Sequence, residues 1–274
     1  PNFGLAAGND SFVIDAAGVL YDANMRTIIF YPSYVTTEVY EMPGTVFELS
    51  ASAFAGSQLK RITISDNIKA IPAGCFRNSA LLESVTIPAS VTEIGNEAFM
   101  GCAKLNNVVI PVSCASIGNS VFEDCTSLTS FDFGSRNIEL RVGTALFRGC
   151  TALENILLPD GLTALPAYMF ANTGVKSVVI PDSVQDLSGE GLFMGCAKLT
   201  DIRLPEGYSG TLGTKAFYGC TALTKMTLPD GMTGLGNEAF KNCTSLASVG
   251  FGSGLNDLGM NSFENCTSLT EVDL

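Results

Sequence analysis

The stretch that decides the fold runs from Leu82 to Cys102, LESVTIPASVTEIGNEAFMGC. Its opening places apolar residues at Leu82, Val85 and Ile87, and this alternation is the signature of a short strand with one face buried. Pro88 follows directly and cannot continue a hydrogen-bonded ladder, so the strand ends there. A turn leads to a second apolar pair, Val91 and Ile94, and the stretch closes on Ala98-Phe99 and a Gly101-Cys102 turn.

Phe99 is one of a series. Phe recurs at 54, 76, 99, 122, 147, 170, 193, 217, 240 and 263, with spacings between 22 and 25, so ten of the 17 Phe mark one period of about 23 residues. The strand pattern keeps the same clock at Leu105-x-x-Val108-x-Ile110, Leu199-x-x-Ile202-x-Leu204 and Leu269-x-x-Val272-x-Leu274. The strand-ending proline returns at Pro111, Pro159, Pro181, Pro205 and Pro229, and turn residues follow it, as in Asp160-Gly161 and Asp230-Gly231.

One such unit cannot bury its apolar side alone, whereas stacked units share a continuous core. The expected fold is an α/β repeat solenoid: short parallel strands with short helical turns, wound as a curved right-handed coil. Residues 39–274 hold about ten repeats, the first using Tyr40-x-Met42-Pro43 as its strand. Residues 1–38 fall outside the period, and GVLYD and TIIFYP within them are expected to form a β-hairpin capping the first coil. Cap and repeats are expected to make one continuous structural domain. The sequence stops at Leu274 on a strand position, so a longer array or a covering molecule is expected at that end.

Composition narrows the function. A net charge of −12 argues against nucleic acid and anionic membrane surfaces as partners. Histidine is absent, which removes Ser-His-Asp and Cys-His catalysis and imidazole ligation of metals. Tryptophan is also absent, which weakens a sugar-stacking site. No run of 18 apolar residues suggests a membrane span, and the first residues, PNFGLAAGND, have no leader pattern. The sequence offers no nucleophile–base pair, phosphate loop or metal cluster, so neither an enzyme nor a cofactor is expected.

The nine cysteines follow the repeat. Seven, at 102, 125, 150, 196, 220, 243 and 266, lie three residues after a period Phe, while Cys75 precedes Phe76 and Cys114 takes the slot of Val91. Repeat-coded positions argue for buried free thiols packed as small apolar groups. Disulfides between adjacent coils are the alternative, and a metal site has no support from the 23-residue spacing. The same logic makes Asn242 and Asn265, in N-C-T sequons, and Asp160, Asp182 and Asp230, after the prolines, turn residues rather than sites.

The unit L-x-x-V-x-I-P-x-S-V-T-E-I-G-x-x-A-F-x-G-C at Leu82–Cys102, returning as MTGLGNEAFKNCTSL at Met232–Leu246, resembles the BspA-like leucine-rich repeat family. GVLYDANMRTIIFYP resembles the N-terminal cap of that family. The resemblance covers about 40–274 plus the cap. It implies a bacterial surface or secreted protein with adhesive roles, such as binding host matrix proteins or other cells, and it brings no catalytic residues.

Residues between the inward positions of each strand face outward and are expected to line a concave binding sheet. The candidate ligand-binding residues are Asn107, Val109, Asp132, Asn155, Leu157, Val179, Asp201, Arg203 and Lys225. Val109, Leu157 and Val179 form an apolar streak, and Asp201, Arg203 and Lys225 form a charged corner. The unit between Phe122 and Phe147 is 25 residues long and lacks the proline. Its Arg136 and Arg141, with Arg148 beyond, make it a second candidate recognition feature. The expected function is a non-enzymatic cell-surface or secreted module binding a protein ligand, a host extracellular matrix or plasma protein among the candidates. The alternatives are a structural spacer array within a longer surface protein and cell-surface glycan binding.

Overall fold

The alternation at Val85 becomes a three-residue strand, Ser84–Thr86, in parallel register with Arg61–Thr63 through Arg61↔Ser84, Ile62↔Val85 and Thr63↔Thr86. The structure, a computed structural model, describes residues 4–134 and 140–273. They fall into two units that divide at Gly134.

In the N-terminal unit, Val39–Glu41, Arg61–Thr63, Ser84–Thr86, Asn107–Val109 and Ser130–Asp132 form one parallel sheet. A second ladder of two-residue strands joins Ala70–Ile71, Glu93–Ile94 and Ser116–Ile117. Ahead of them, Phe12–Ile14, Leu20–Asp22 and Thr27–Phe30 pair antiparallel in sequence order. Thr27–Phe30 then pairs in parallel with Glu48–Leu49, which ties this segment to the first coil.

In the C-terminal unit, Ser177–Val179 pairs with Asp201–Arg203, and Lys225–Thr227, Ser248–Gly250 and Glu271–Asp273 form a separate parallel sheet. The short ladder here joins Thr211–Leu212, Gly234–Leu235 and Asp257–Leu258.

The Phe segments form a third ladder. Glu97, Phe99 and Gly101 donate their amides to the carbonyls of Asn119 (2.8 Å), Val121 (3.0 Å) and Glu123 (2.8 Å) in the next coil. The expectation of an α/β fold with short helical turns is therefore corrected: no helix exists among the described residues, and the fold is a β-solenoid. A helix directs its amides to carbonyls four residues back along its own chain, whereas here alternate amides point to the neighbouring coil. The backbone also turns left-handed on both sides of each Phe, with φ of 58° at Glu97 and 72° at Gly101. The same two slots, two residues before and two after the Phe, have positive φ at all ten coils. A single left-handed L-residue costs roughly 1–2 kcal/mol and interrupts a right-handed helix.

The core is a stack of rings. Phe54, Phe76, Phe99 and Phe122 lie 5.0–5.4 Å apart in the N-terminal unit. Phe147, Phe170, Phe193, Phe217, Phe240 and Phe263 follow at 5.2–5.7 Å in the other. All but Phe263 are fully buried. Offset ring pairs of this kind contribute about 0.5–1.5 kcal/mol each beyond their buried area.

The nine cysteines are free thiols, eight of them buried. Those three residues after the Phe face inward, and most donate Sγ–H to the period Phe carbonyl of the previous coil, as Cys102 does to Phe76 (3.1 Å) and Cys196 to Phe170 (2.9 Å). Ser79 makes the equivalent bond to Phe54 at 2.8 Å.

Candidate functional site

Arg61–Thr63, Asn107–Val109, Ser130–Asp132, Ser177–Val179 and Lys225–Thr227 bury their middle residue and present both flanking residues to solvent. Register then lines the outward residues up. In the N-terminal unit Asn107 neighbours Ser84 and Ser130, and Val109 neighbours Asp132. In the C-terminal unit Asn155 bridges to Ser177 and Ser177 pairs with Asp201, while Val179 pairs with Arg203. The apolar members are open: Val109 is 52% exposed, Leu157 84% and Val179 55%. Arg141 lies elsewhere, on the short strand Arg141–Val142 rather than on a long one, and Arg136 lies outside the described residues.

The charged corner contains a break in the sheet. In stacked coils, outward residues bond backward and inward residues forward, as in Ser84 N to Lys60 O (3.2 Å) and Ile64 N to Thr86 O (3.1 Å). Asp201 N keeps this rule with Lys176 O (3.3 Å), as does Leu228 N with Gly250 O (2.9 Å). Between Asp201–Arg203 and Lys225–Thr227, however, no strand pairing occurs among the described residues. The same two coils stay joined on the Phe side, through Phe193 N to Ala216 O (2.7 Å) and Gly195 N to Tyr218 O (2.7 Å). The opening is a groove of about 600 Å³ lined by Asp201, Arg203, Glu206, Lys225, Thr227 and Asp230 above the inward Ile202, Leu204 and Leu228. Ile202 is half-buried, whereas its counterparts Ile62, Val178 and Met226 are buried.

The opening coincides with the 24-residue spacing between Phe193 and Phe217 and the turn Pro205–Gly210. Tyr208 occupies the slot of Val91 and Met232. Its buried hydroxyl accepts from Leu187 N (3.2 Å) and donates to Thr211 O (2.8 Å).

The rim is electrostatically divided. Arg203 Nη2 lies 3.0 Å from Glu206 and 3.2 Å from each Asp182 carboxylate oxygen. Glu206 and then Asp182 hold the guanidinium above its ordinary pKa. The Glu206 amide, 2.9 Å away, and then Arg203 hold the Asp182 carboxyl below its own. Asp201 and Lys225, across the groove, make no ion pair. The arrangement suits noncovalent recognition by main-chain hydrogen bonds, one unpaired cation and an unpaired carboxylate. Sequence reasoning placed Arg203 and Lys225 outward but read Asp182 as a turn residue and passed over Glu206 and Tyr208. The one available signal was the extra residue in that coil.

The sequence matches the family model for the BspA type leucine rich repeat region over residues 25–142, 69–190, 140–211 and 188–274. The chain belongs to the BspA-type leucine-rich repeat family. A comparison with curated proteins finds no match. Among solved structures, a leucine-rich repeat protein from Bacteroides ovatus is 26% identical, covering 96% of this chain and 85% of that one, with a TM-score of 0.49. A leucine rich cell surface protein from Faecalibacterium prausnitzii is 25% identical, covering 99% and 95%, with a TM-score of 0.48. The pneumococcal vaccine antigen PcpA is 18% identical, covering 96% and 87%, with a TM-score of 0.53, and that likeness concerns the fold. In this BspA-type chain no helix is long and apolar enough to cross a membrane among the described residues.

Proposed function

We propose that this BspA-type repeat chain is a non-enzymatic protein-binding module of a bacterial cell surface or secreted protein. It takes a host extracellular matrix or plasma protein as its ligand through the outward face of the long strands. The observation that carries the reading is the run Leu157, Val179 and Arg203 on adjacent coils. Two strongly exposed apolar side chains there lead to the charged groove. Membership of a family associated with bacterial surfaces supports the location. Contiguous exposed apolar groups beside polar ones are the usual mark of an interaction surface.

The test is surface plasmon resonance of the purified chain against a panel of purified matrix and plasma proteins. The double variant Leu157→Asp/Val179→Asp is run alongside. Binding by the wild-type chain that falls at least tenfold in the variant supports the reading. Equal binding by both places the ligand elsewhere, and no binding to any member of the panel favours a spacer role.

A further inference from the structure

We propose that the groove between Asp201–Arg203 and Lys225–Thr227 is a docking slot for an extended segment of a partner polypeptide, which completes the interrupted sheet by adding a strand. This deepens the reading of the outward face as a protein-binding surface and rests on it.

The argument starts from the main chain. By the alternation seen in the paired coils, Asp201 and Arg203 turn their backbone groups to the coil before, where Ile180 N donates to Arg203 O at 2.9 Å. The N–H groups of Ile202 and Leu204 therefore face the groove. Lys225 and Thr227, outward residues of the following coil, turn theirs back toward it from the other side. Neither row has a backbone partner across the gap. Two facing strand edges with unmet donors and acceptors are complementary to another extended main chain.

The size agrees. At the usual spacing of strands and sheets, a strand residue fills about 160 Å³, so a groove of about 600 Å³ holds three to four residues. The coils remain bonded on the Phe side, so the slot is closed at its back and open at the strand face, and a segment enters from solvent. The walls suit a mixed sequence. Ile202, Leu204 and Leu228 offer an apolar floor, and Lys225 is an unpaired cation for an acidic side chain of the incoming segment. Arg203 is already held by Asp182 and Glu206, which fixes that rim in place. A smaller opening lies between Ser84–Thr86 and Asn107–Val109, about 370 Å³, but there the pair Asn107↔Ser84 still bridges the strands.

Amide hydrogen exchange of the whole chain, read residue by residue by NMR, tests the slot without any partner. The amides of Ile202, Leu204, Lys225 and Thr227 are expected to exchange at least a hundredfold faster than those of Ile64 and Ser84 in the paired coils. Equal protection in the free protein means that the ladder is closed and overturns the proposal. The probe peptide is acetyl-ESVVIP-amide, a copy of Ser177–Pro181 preceded by Glu in place of Lys176 to meet the Lys225 cation; the copied strand pairs with Asp201–Arg203 from its other side. It is expected to protect the same four amides. Methylating alternate backbone nitrogens of the peptide, or the variant Thr227→Pro, is expected to weaken binding at least tenfold, with the melting temperature of the variant unchanged. Failure of the peptide to protect the four amides overturns the proposal even if the protein panel shows binding. Protection that rises with protein concentration and without peptide assigns the slot to a second copy of this chain and overturns it too.

Discussion

The thiol of Cys243 donates a hydrogen bond to the carbonyl oxygen of Phe217, 3.1 Å away and one coil back. Cys220 makes the same bond to Phe193 at 3.2 Å, and Ser79 makes it to Phe54 at 2.8 Å. The slot thus asks for a small side chain with a donor rather than for sulfur chemistry. Cys243→Ser is expected to change unfolding free energy by no more than about 1 kcal/mol, the scale of one hydrogen bond. Cys243→Leu overfills a fully buried site and is expected to cost about 1–3 kcal/mol. Urea unfolding curves of the two variants check the difference.

Burial raises these thiols, Cys102 and Cys243 to about 12 and Cys196 to about 11. The unfolded chain ionises its thiols near the ordinary value of about 8.5, so above that pH it binds fewer protons than the folded state. Stability is therefore fully present below about pH 8.5 and falls as pH rises toward the folded values, by about 1.4 kcal/mol per pH unit for each such thiol. Urea midpoints are expected to hold between pH 6 and 8 and to drop steeply from pH 9 to 10.5. A Cys102→Ser/Cys196→Ser/Cys243→Ser variant is expected to flatten that drop, and an unchanged slope in the variant would refute the assignment.

Close approach of backbones fixes Gly95, four residues before Phe99. A Cβ on Gly95 would stand 2.6 Å from Ala73 N and 2.9 Å from Pro72 C, both main chain in the previous coil. Gly95→Ala is expected to cost more than about 2 kcal/mol, since main chain cannot repack around it. Gly219 is the contrast. Its φ is 72° but nothing lies closer than 3.9 Å to an added Cβ, so Gly219→Ala should cost only the left-handed strain of roughly 1 kcal/mol. Thermal melts of both variants decide the order.

Phe193 is stacked on Phe170 at 5.2 Å and on Phe217 at 5.3 Å, with no exposed surface. Phe193→Ala removes two ring contacts and leaves a cavity, for an expected loss of about 3–5 kcal/mol. Phe263, stacked on Phe240 and only half-buried, is expected to lose less than half as much. Chemical denaturation of the pair tests the ranking.

The period was legible because one bulky side chain does one job at every turn: each Phe must meet the ring above and below, so its spacing is held. The helix expectation failed for a local reason. Segments such as Asn96-Glu97-Ala98-Phe99 look like the start of a helix, and the left-handed slot two residues before the Phe holds Ser52, Glu97, Ser120, Ala145, Tyr168, Lys215, Glu238 and Asn261, with glycine only at 74 and 191. Ordinary residues in that conformation leave no mark in sequence. The break beside Lys225 was equally hidden. Asp201-Ile202-Arg203 and Lys225-Met226-Thr227 alternate as paired strands do, and pairing is a property of two coils rather than of either one. Outward placement of Arg203 and Lys225 followed from alternation alone, whereas the carboxylates of Asp182 and Glu206 converge on Arg203 only after folding.

Between consecutive coils of each unit, three Phe-segment amides of one coil bond to carbonyls of the next through the same slots. A turn is therefore an interchangeable part. Duplication or excision of a 23-residue cassette joins surfaces that already fit, so gene-level slippage can lengthen or shorten such an array without inventing a new interface. The unpaired rung beside Lys225 is the exception. Copying it would copy the opening, and deleting it would erase the opening, so at that rung the count of turns has an address.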